Sequence, residues 1–420
     1  MLTPAYSLTA TERVLPRLAL DWTTGLAQPG VDVVRAGVAT FLGDNGFIQS
    51  ATANTQRIDW STGTSGLLIE ESRANVYAYS SDYTQATWNL TQNITIGSTT
   101  VLSPDGVNYT QKIQETAANG VHRLVPTNTP SVVSGTAYTL SFFAKAAERN
   151  YVEVIETSYT GVVAARFDLV NGTVSNLNPL YVNASIVLYP NGCYRCIVTM
   201  TAQSTGNPGF MNRIQIYNGA SSYQGVAGYG IYLWGCQFET GAFATSYIPT
   251  EATTVTRNAD VATMTGTNFS DWYNASEGTI GILASVPAYS TSSVVQAVQA
   301  SIFKDLLNYI RLRGYSNGSG NFLWDSTITT AGASVVDFPE FTTTSPNTLV
   351  QQLLSYKLNN CANAVNGTTV NVDTSSAIPL TLDTLYIGSL GGTVTGAQHI
   401  NKINYWPQRL INNEIQAFSK

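Results

Sequence analysis

The sequence predicts an all-β protein in which a small N-terminal β unit precedes two antiparallel β-sandwich (jelly-roll) domains. Short segments of alternating apolar and polar side chains recur along the 420 residues, which is typical of half-buried strands. Turn signals such as Asn171 followed by Gly172 separate these segments. Because one hydrophobic core rarely extends beyond about 250–300 residues, we expect two or three domains.

The composition excludes some classes of function. Charged residues make up only 11% of the chain, against about 25% in an average soluble domain, whereas the hydrophobic share is 44%. The polar surface is therefore built from Ser, Thr, Asn, Gln and Gly, as suits sandwiches with long loops. The net charge is −6 and no run of like charges occurs, so nucleic-acid binding is not expected.

The N-terminal twenty residues have no basic start followed by an apolar run, so we expect no export by a signal peptide. No segment approaches the ~18 consecutive apolar residues of a membrane span, so we expect no membrane insertion.

Residues 1–80 are predicted to form the N-terminal unit. A strand at 31–35 is followed by a hairpin, whose turn is assigned to Asn45 and Gly46 because these residues adopt the positive φ angles of tight turns. Short strands at 57–60 and 66–70 end the unit. It is too small to bury a core of its own, so we expect it to pack on the next domain or to provide a docking surface.

Residues 81–250 are predicted to form the first sandwich, because evenly spaced strands alternate with glycine-rich turns. The clearest strands are 139–145, 151–155, 164–170, 194–200, 213–217 and 230–238.

A threonine-rich segment, 251–268, is predicted to be a linker. The second sandwich is predicted over 269–420. Its clearest strands are 278–285, 309–313, 349–358 and 384–388, and a strand near 399–410 leads into a short C-terminal helix.

Catalytic and metal-binding patterns are not found in the sequence. The two histidines, His122 and His399, fall in different predicted domains, and we expect each to be a surface or cross-strand residue. Glu70 and Glu71 are adjacent on a strand and face opposite ways, so they cannot flank one glycosidic bond. We therefore predict a protein that is not an enzyme and has no catalytic residues. Glu239 is interpreted as an acceptor of hydrogen bonds from the backbone or from an arginine.

Cofactors and metals are likewise not predicted. Cys193 and Cys196 lie three residues apart on one strand and point to opposite faces, so buried thiols are expected. The acidic ladder of a calcium loop is absent from the sequence, although a structural Ca²⁺ held by loop carbonyls would leave no trace in it.

Glycan binding would use aromatic rings beside amide side chains. In the first sandwich these candidates are Tyr217, Asn218, Tyr223 and Gln224. In the second sandwich they are Tyr315, Asn317, Asn321 and Trp324. The alternative is that these aromatic residues cap the sandwich edges or pack between subunits.

Two long motifs resemble segments of bacteriophage and prophage virion proteins that contain a carbohydrate-binding-type sandwich. The first is GLLIEESRAN at 66–75. The second is GYGIYLWGCQFETGAFATSYIPTEATTVTRNAD at 228–260. The order of strands also resembles that of carbohydrate-binding modules. The ending at 399–410, with YWPQRL, resembles the last strand of concanavalin-like, laminin-G-type sandwiches.

The resemblance implies a non-enzymatic virion structural protein, made in the host bacterium and released by lysis. The first hypothesis is an adsorption component, a fibre or receptor-binding protein that contacts host-surface polysaccharide. The alternative is a capsid or tail decoration (cement) protein, or a head fibre with a purely structural role. Other virion proteins are then expected partners, residues 1–80 a possible docking region, and a homo-oligomer is expected, with a trimer favoured.

Overall fold

The computed structural model describes residues 15–127, 130–156, 163–175, 177–178, 181–206, 211–286, 294–317, 322–338, 341–343 and 347–420. The protein is all-β, with 48% strand and 5% helix, which confirms the predicted fold class. No helix among the described residues is long and apolar enough to cross a membrane.

The strands fall into three groups along the chain. The N-terminal strands are β1 (Leu18–Asp21), β2 (Asp32–Val34), β3 (Ala39–Leu42), β4 (Ile48–Ala51), β5 (Ile58–Asp59), β6 (Gly66–Ile69) and β7 (Arg73–Asn75). The second group is β8 (Ile94–Gly97), β9 (Gln111–Glu115), β10 (Asn119–Gly120), β11 (Arg123–Leu124), β12 (Ala137–Ala146), β13 (Tyr151–Ile155), β14 (Val163–Asp168), β15 (Thr173–Ser175), β16 (Tyr181–Leu188), β17 (Tyr194–Thr201), β18 (Arg213–Tyr217), β19 (Tyr223–Gln224) and β20 (Gly230–Thr240).

The third group ends the chain. It comprises β21 (Val255–Arg257), β22 (Val261–Met264), β23 (Glu277–Ser285), β24 (Val294–Asp305), β25 (Asn308–Asn317), β26 (Phe322–Thr330), β27 (Ala333–Asp337), β28 (Phe341–Thr343), β29 (Val350–Lys357), β30 (Cys361–Val365), β31 (Asn371–Asp373), β32 (Thr384–Ile387) and β33 (Gln398–Trp406). The α-helices are α1 (Thr267–Ser270) and α2 (Asn412–Phe418), and 3₁₀ turns lie at Trp22–Thr24 and Ala86–Trp88. Helix α2 is the predicted C-terminal helix.

The first sandwich consists of a six-stranded sheet, β16-β17-β12-β20-β9-β8, and a five-stranded sheet, β11-β18-β13-β14-β15. Alternation along the strands sends one face of each sheet into a shared core. That core includes Trp88, Leu140, Phe142, Val152, Phe167, Val198 and Phe238, all buried. The other face of the five-stranded sheet carries polar and aromatic side chains, which are described below.

The second sandwich is formed by two eight-stranded sheets. One has the order β31-β30-β29-β23-β33-β6-β5 with β1 also on β33, and the other has the order β2-β22-β32-β24-β25-β26-β27 with β28 also on β26. Their shared core includes Leu20, Leu67, Ile69, Met264, Ile282, Ile302, Leu312, Leu385 and Ile403.

Four of the N-terminal strands, β1, β2, β5 and β6, belong to the second sandwich, a grouping that was not predicted from the sequence. Strands β1 and β6 pair with β33, and β2 pairs with β22. The first sandwich is inserted between β7 and β21, which pair with each other. Strands of three or four residues cannot bury a core alone, so they share the larger one. The segment 251–268, predicted as a linker, contributes β21, β22 and α1 to this arrangement.

The predicted N-terminal hairpin is present as β3 and β4, which pair from Ala39 opposite Ala51 to Leu42 opposite Ile48. Gly46 has a φ of 77°, as the prediction required. Asn45 does not have the positive φ angle that was predicted for it. Its side chain accepts a hydrogen bond from the Phe47 N–H at 3.0 Å. Cys193 and Cys196 are free and buried, as expected.

Gly230, at the start of β20, provides a test of the packing between β20 and β9. A Cβ atom at this position would lie 1.8 Å from the carbonyl oxygen of Ile113, a backbone atom that no side-chain rotation can move away. We expect Gly230→Ala to lower the free energy of unfolding by about 2–3 kcal/mol in chemical denaturation. Gly228→Ala is the matched control, because its Cβ would meet nothing within 4 Å and only its φ of 87° carries a cost. Equal stability of the two variants would contradict this packing.

Candidate functional site

The motifs at 66–75 and 228–260 meet in a buried network of ion pairs. Arg57 Nη1 lies 2.7 Å from Glu70 Oε2, and Arg257 Nη1 lies 3.0 Å from the same oxygen. Asp260 Oδ1 is 2.7 Å from Arg35 Nη1, and Arg57 pairs with its other oxygen. No side chain of the five is more than 3% exposed. These five residues, of which Glu70, Arg257 and Asp260 belong to the motifs, therefore form an internal clamp, which we call the ion-pair clamp, rather than a ligand site.

The ion-pair clamp also holds the chain where it leaves the first sandwich. Ser246 donates to Glu70 from its backbone N–H and from its hydroxyl, each at 2.7 Å. Glu239 accepts from the Thr245 N–H at 2.9 Å and from the Gln237 amide at 2.8 Å. The interpretation of Glu239 as an acceptor of backbone hydrogen bonds is therefore confirmed.

Glu70 and Arg57 are held in their ionised forms within the ion-pair clamp. Burial raises the pKa of Glu70, but the charges of Arg257 and Arg57 and the bonds from Ser246 outweigh it and hold the pKa at about 2. Burial lowers the pKa of Arg57, and the charges of Asp260 and Glu70 reverse this, so that its pKa is raised. A carboxylate held this firmly in its charged form is unsuited to proton transfer near neutral pH.

Both histidines are buried, so the surface alternative of the prediction is wrong, whereas His399 is a cross-strand residue opposite Leu68. His122 lies between the carbonyl oxygens of Asn93 and Tyr223, 2.9 Å from the first and 3.3 Å from the second. His399, on β33, has Nε2 2.7 Å from Asp59 Oδ1 and Nδ1 3.4 Å from the Thr62 hydroxyl. The Thr62 hydroxyl donates to the Thr64 carbonyl oxygen. We therefore interpret the histidine as a structural contact between β33 and the segment after β5.

The aromatic and arginine side chains at one end of the five-stranded sheet form the best-organised polar surface of the first sandwich. We call this surface the rim patch. It consists of Arg149, Tyr151, Arg166, Tyr217, Tyr223 and Tyr229, with the amide side chains of Asn218 and Gln224 exposed beside it.

One half of the rim patch is centred on Tyr217. The guanidinium carbon of Arg166 lies 3.5 Å from the Tyr217 ring centroid, and Tyr151 meets the same ring edge-on at 6.0 Å. Arg166 is held in place by Glu153, which is fully buried and accepts from its Nη2 at 2.7 Å and from its Nε at 2.9 Å. The tyrosine ring is thereby fixed by a cation–π contact whose cation is itself anchored.

The other half repeats this construction around Tyr223. Arg149 lies 5.6 Å from the Tyr223 ring and 5.1 Å from the Tyr229 ring. It binds buried Glu115 with both Nε and Nη2, at 2.5 and 2.9 Å, and the Tyr223 hydroxyl donates to the same carboxylate at 2.5 Å. Burial raises the pKa of Glu115, but the bonds from Arg149 and Tyr223 outweigh it and lower the pKa. Glu115 thus stays a structural anion.

A short loop joins the halves. Ser221, in the turn between β18 and β19, donates to Glu153 at 2.9 Å, and its carbonyl oxygen accepts from the Gln215 amide at 2.9 Å. The Tyr217 hydroxyl donates to the Gly219 carbonyl at 2.8 Å. The four first-sandwich candidates therefore lie on one connected surface.

The predicted candidates did not include Arg149, Tyr151, Arg166 and Tyr229. The arginine and tyrosine on predicted strands 164–170 and 151–155 were the available signal, but pairing register was needed to place them together.

Of the four second-sandwich candidates, the structure describes the side chains of Tyr315 and Trp324, and these two do not share a surface. Trp324 is only 2% exposed and packs with Phe243, Phe322 and Val350, so the prediction that it is a surface platform is wrong. The physical reason is the register of β25 and β26: Trp324 lies opposite Gly314, whose missing side chain leaves room for the indole, whereas Tyr315 points to the other face. Asn317 ends β25 with its side chain outside the described part, and Asn321 lies outside the described residues.

Metal ligands were sought across the residues that the structure describes. No group of three or more His, Cys, Asp or Glu side chains in that part of the chain is placed to hold a metal ion.

Comparisons with known proteins give remote likenesses. No family model matches the chain, and no curated protein matches it. Among solved structures, the receptor binding domain of botulinum neurotoxin D matches at 12% identity and a TM-score of 0.28, over 38% of this chain and 40% of that chain. The CBM2 module of the evolved Dit of Lactobacillus casei BL23 phage J-1 matches at 10% identity and a TM-score of 0.25, over 36% of this chain and 70% of that chain. The Ruminococcus gnavus IT-sialidase CBM40 matches at 17% identity and a TM-score of 0.25, over 35% of this chain and 84% of that chain.

The structural neighbours are thus carbohydrate-binding and receptor-binding β-sandwich domains, one of them from a phage protein. The matched part spans less than half of the neurotoxin domains. At these identities and scores the likeness carries no argument about function, which is argued below from the residues of this chain.

Proposed function

We propose that this chain is a non-enzymatic adsorption component of a bacteriophage virion that contacts host-surface glycan through the rim patch. The observation that carries the proposal is the paired construction of the patch, in which a buried carboxylate fixes an arginine and the arginine fixes a tyrosine ring.

Sugar rings present flat C–H surfaces edged by hydroxyl groups. The fixed rings of Tyr217 and Tyr223 supply apolar platforms, and the exposed amides of Asn218 and Gln224 supply donors and acceptors. Because the rings are already anchored, little side-chain entropy is lost when a ligand binds. The patch therefore suits recognition of a polysaccharide chain at the edge of the sandwich.

The same construction disfavours hydrolysis at this surface. Glu115 and Glu153 are buried beneath the rings and each is bound to an arginine, so neither is available as a general acid. Binding without cleavage is the function that suits an adsorption protein.

The assignment to a virion rests on the resemblance of two motifs to phage and prophage proteins. The motifs contribute Glu70, Arg257 and Asp260 to the ion-pair clamp, which fixes the exit of the first sandwich to the second. The clamp thereby presents the rim patch in one orientation, as an adsorption protein requires. We propose a homo-oligomer, with a trimer favoured, and other virion proteins as partners. The second candidate is a decoration protein or head fibre, favoured by the absence of coiled-coil heptads from the sequence.

Replacement of the two anchored rings tests the proposal. We expect the Tyr217→Ala and Tyr223→Ala changes together to weaken binding of the intact chain to purified host-surface polysaccharide by about tenfold or more, because interface aromatics carry much of the binding energy. Tyr109→Phe, on a tyrosine that is 55% exposed away from the patch, is the control. Binding by isothermal titration and release of reducing ends are measured on the same samples. Unchanged binding would refute the rim patch as the site, and release of reducing ends would refute the non-enzymatic proposal.

A further inference from the structure

The outward face of β25 carries a row of side chains that the proposed function does not use. We call it the arginine ladder: Tyr309, Arg311, Arg313 and Tyr315. These residues alternate with Ile310 and Leu312, which are buried in the core of the second sandwich. All four ladder residues are partly exposed. The row is therefore the solvent side of a sheet whose other side is core.

The two arginines of the ladder differ in whether a carboxylate is bound to the guanidinium group. Arg313 is bound to Asp325 on the neighbouring strand β26, with Nε 3.1 Å from both carboxylate oxygens. Arg311, opposite Thr327, donates from Nη2 to that hydroxyl at 3.0 Å. Among the described residues no carboxylate forms an ion pair with Arg311, and its Nε has no hydrogen-bond partner. One guanidinium of the pair thus keeps its charge without a bound anion.

The electrostatics of Arg311 agree with this geometry. Burial and then the like charge of Arg313 lower its pKa, while Asp325, Tyr309 and Asp337 oppose the shift. Placing two guanidinium groups side by side on one strand face costs free energy, and an anion bound there would recover it.

Aromatic rings flank the charged pair at both ends. Arg311 lies 5.9 Å from the Tyr309 ring and Arg313 lies 4.3 Å from the Tyr315 ring. Phe303 on β24 stacks on Tyr309 at 6.3 Å and extends the platform sideways. Tyr309 and Tyr315 are six residue steps apart along β25, about 20 Å at ~3.4 Å per residue.

We infer that the arginine ladder is a second saccharide site, which binds a linear segment of a polyuronate. The charge complementarity is specific: the carboxylate of a uronic acid unit accepts two parallel N–H bonds from Arg311, the geometry that guanidinium groups favour. The tyrosines at the two ends contact sugar rings of neighbouring units. The length of the row suits several linked units, and a neutral glycan would leave the charge of Arg311 without a partner.

This site is independent of the rim patch, because it lies on the other sandwich and uses no residue of the first. A chain with both sites would engage a host capsule at two surfaces. The inference stands even where the rim patch binds nothing, so the two are separable by experiment.

Titration of the intact chain with tetragalacturonate tests the inference. We expect wild-type binding that Arg311→Gln weakens tenfold or more, in line with the loss of a charge-assisted pair of hydrogen bonds. Arg311→Lys, which keeps the charge without the planar fork, should give an intermediate loss. Lys304→Gln removes an exposed positive charge near the end of β24 and should leave binding unchanged.

Two results would overturn the inference. One is equal binding by Arg311→Gln and wild-type chains whose thermal unfolding is the same. The other is equal affinity of the wild-type chain for neutral cellotetraose. The Tyr217→Ala and Tyr223→Ala chain should retain tetragalacturonate binding, so failure of the rim patch and failure of the arginine ladder give different outcomes.

Discussion

Replacement of Asp260 by asparagine is expected to lower the free energy of unfolding by about 3–5 kcal/mol, the largest effect of any substitution considered for this protein. Asp260 accepts from Arg35, Arg57 and the backbone N–H of Glu70, and it is 1% exposed. An amide in its place leaves three buried guanidinium groups, those of Arg35, Arg57 and Arg257, with one carboxylate, that of Glu70. The change removes a charge from a site where no water can replace it.

Chemical denaturation at pH 7 measures this effect. Asp383→Asn is the matched control, because Asp383 pairs with Lys304 on the surface and is 53% exposed, so its loss should change stability little. We also expect Asp260→Asn to lower the apparent denaturant slope or to split the transition, because the two sandwiches lose their common anchor. A variant as stable as the control would show that the ion-pair clamp does not hold the fold together.

Glu70 gives the second large effect, which appears as a dependence of stability on pH. Its pKa is about 2 in the folded protein, against an ordinary value of 4.5. A carboxylate whose pKa is depressed on folding contributes stability that is fully present above pH 4.5 and is lost as the pH falls towards 2. A shift of this size corresponds to roughly 3 kcal/mol.

The difference in the free energy of unfolding between the wild type and Glu70→Gln, measured as a function of pH, isolates that contribution. We expect the variant to be less stable at pH 6 and the gap to close between pH 4.5 and 2, because protonation then gives wild-type Glu70 a neutral side chain too. Glu148→Gln serves as control, since Glu148 pairs with Lys112 at a side chain that is 40% exposed. A gap that stays constant over this range would mean that Glu70 is not ionised by the arginines.

The strand content and the two-sandwich architecture could be predicted because they depend on local alternation. Residues 139–145 illustrate this, since Leu140 and Phe142 lie in the core that their spacing predicts. The assignment of β1, β2 and β6 to the second sandwich could not be predicted, because their partners lie more than 200 residues away and short strands fit several registers.

The candidate site was predictable only in part, for a related reason. Tyr217 and Tyr223 flank a glycine- and serine-containing turn that indicates a surface, whereas Trp324 is an aromatic residue in a strand that fits either face. Its burial follows from the pairing with Gly314, which no local pattern reveals. The motifs at 66–75 and 228–260 supply Glu70, Arg257 and Asp260 to the ion-pair clamp and Tyr229 to the rim patch, so the resemblance marked residues of structural importance more than residues of the candidate site.

Gold-labelled antibody against this chain on intact phage particles, viewed by electron microscopy, is the most direct test of the central proposal. The account predicts label at the tail tip, where an adsorption component contacts the host. Label spread over the capsid would favour the decoration protein or head fibre instead. Particles that carry no label would contradict the proposal that the chain is a virion protein.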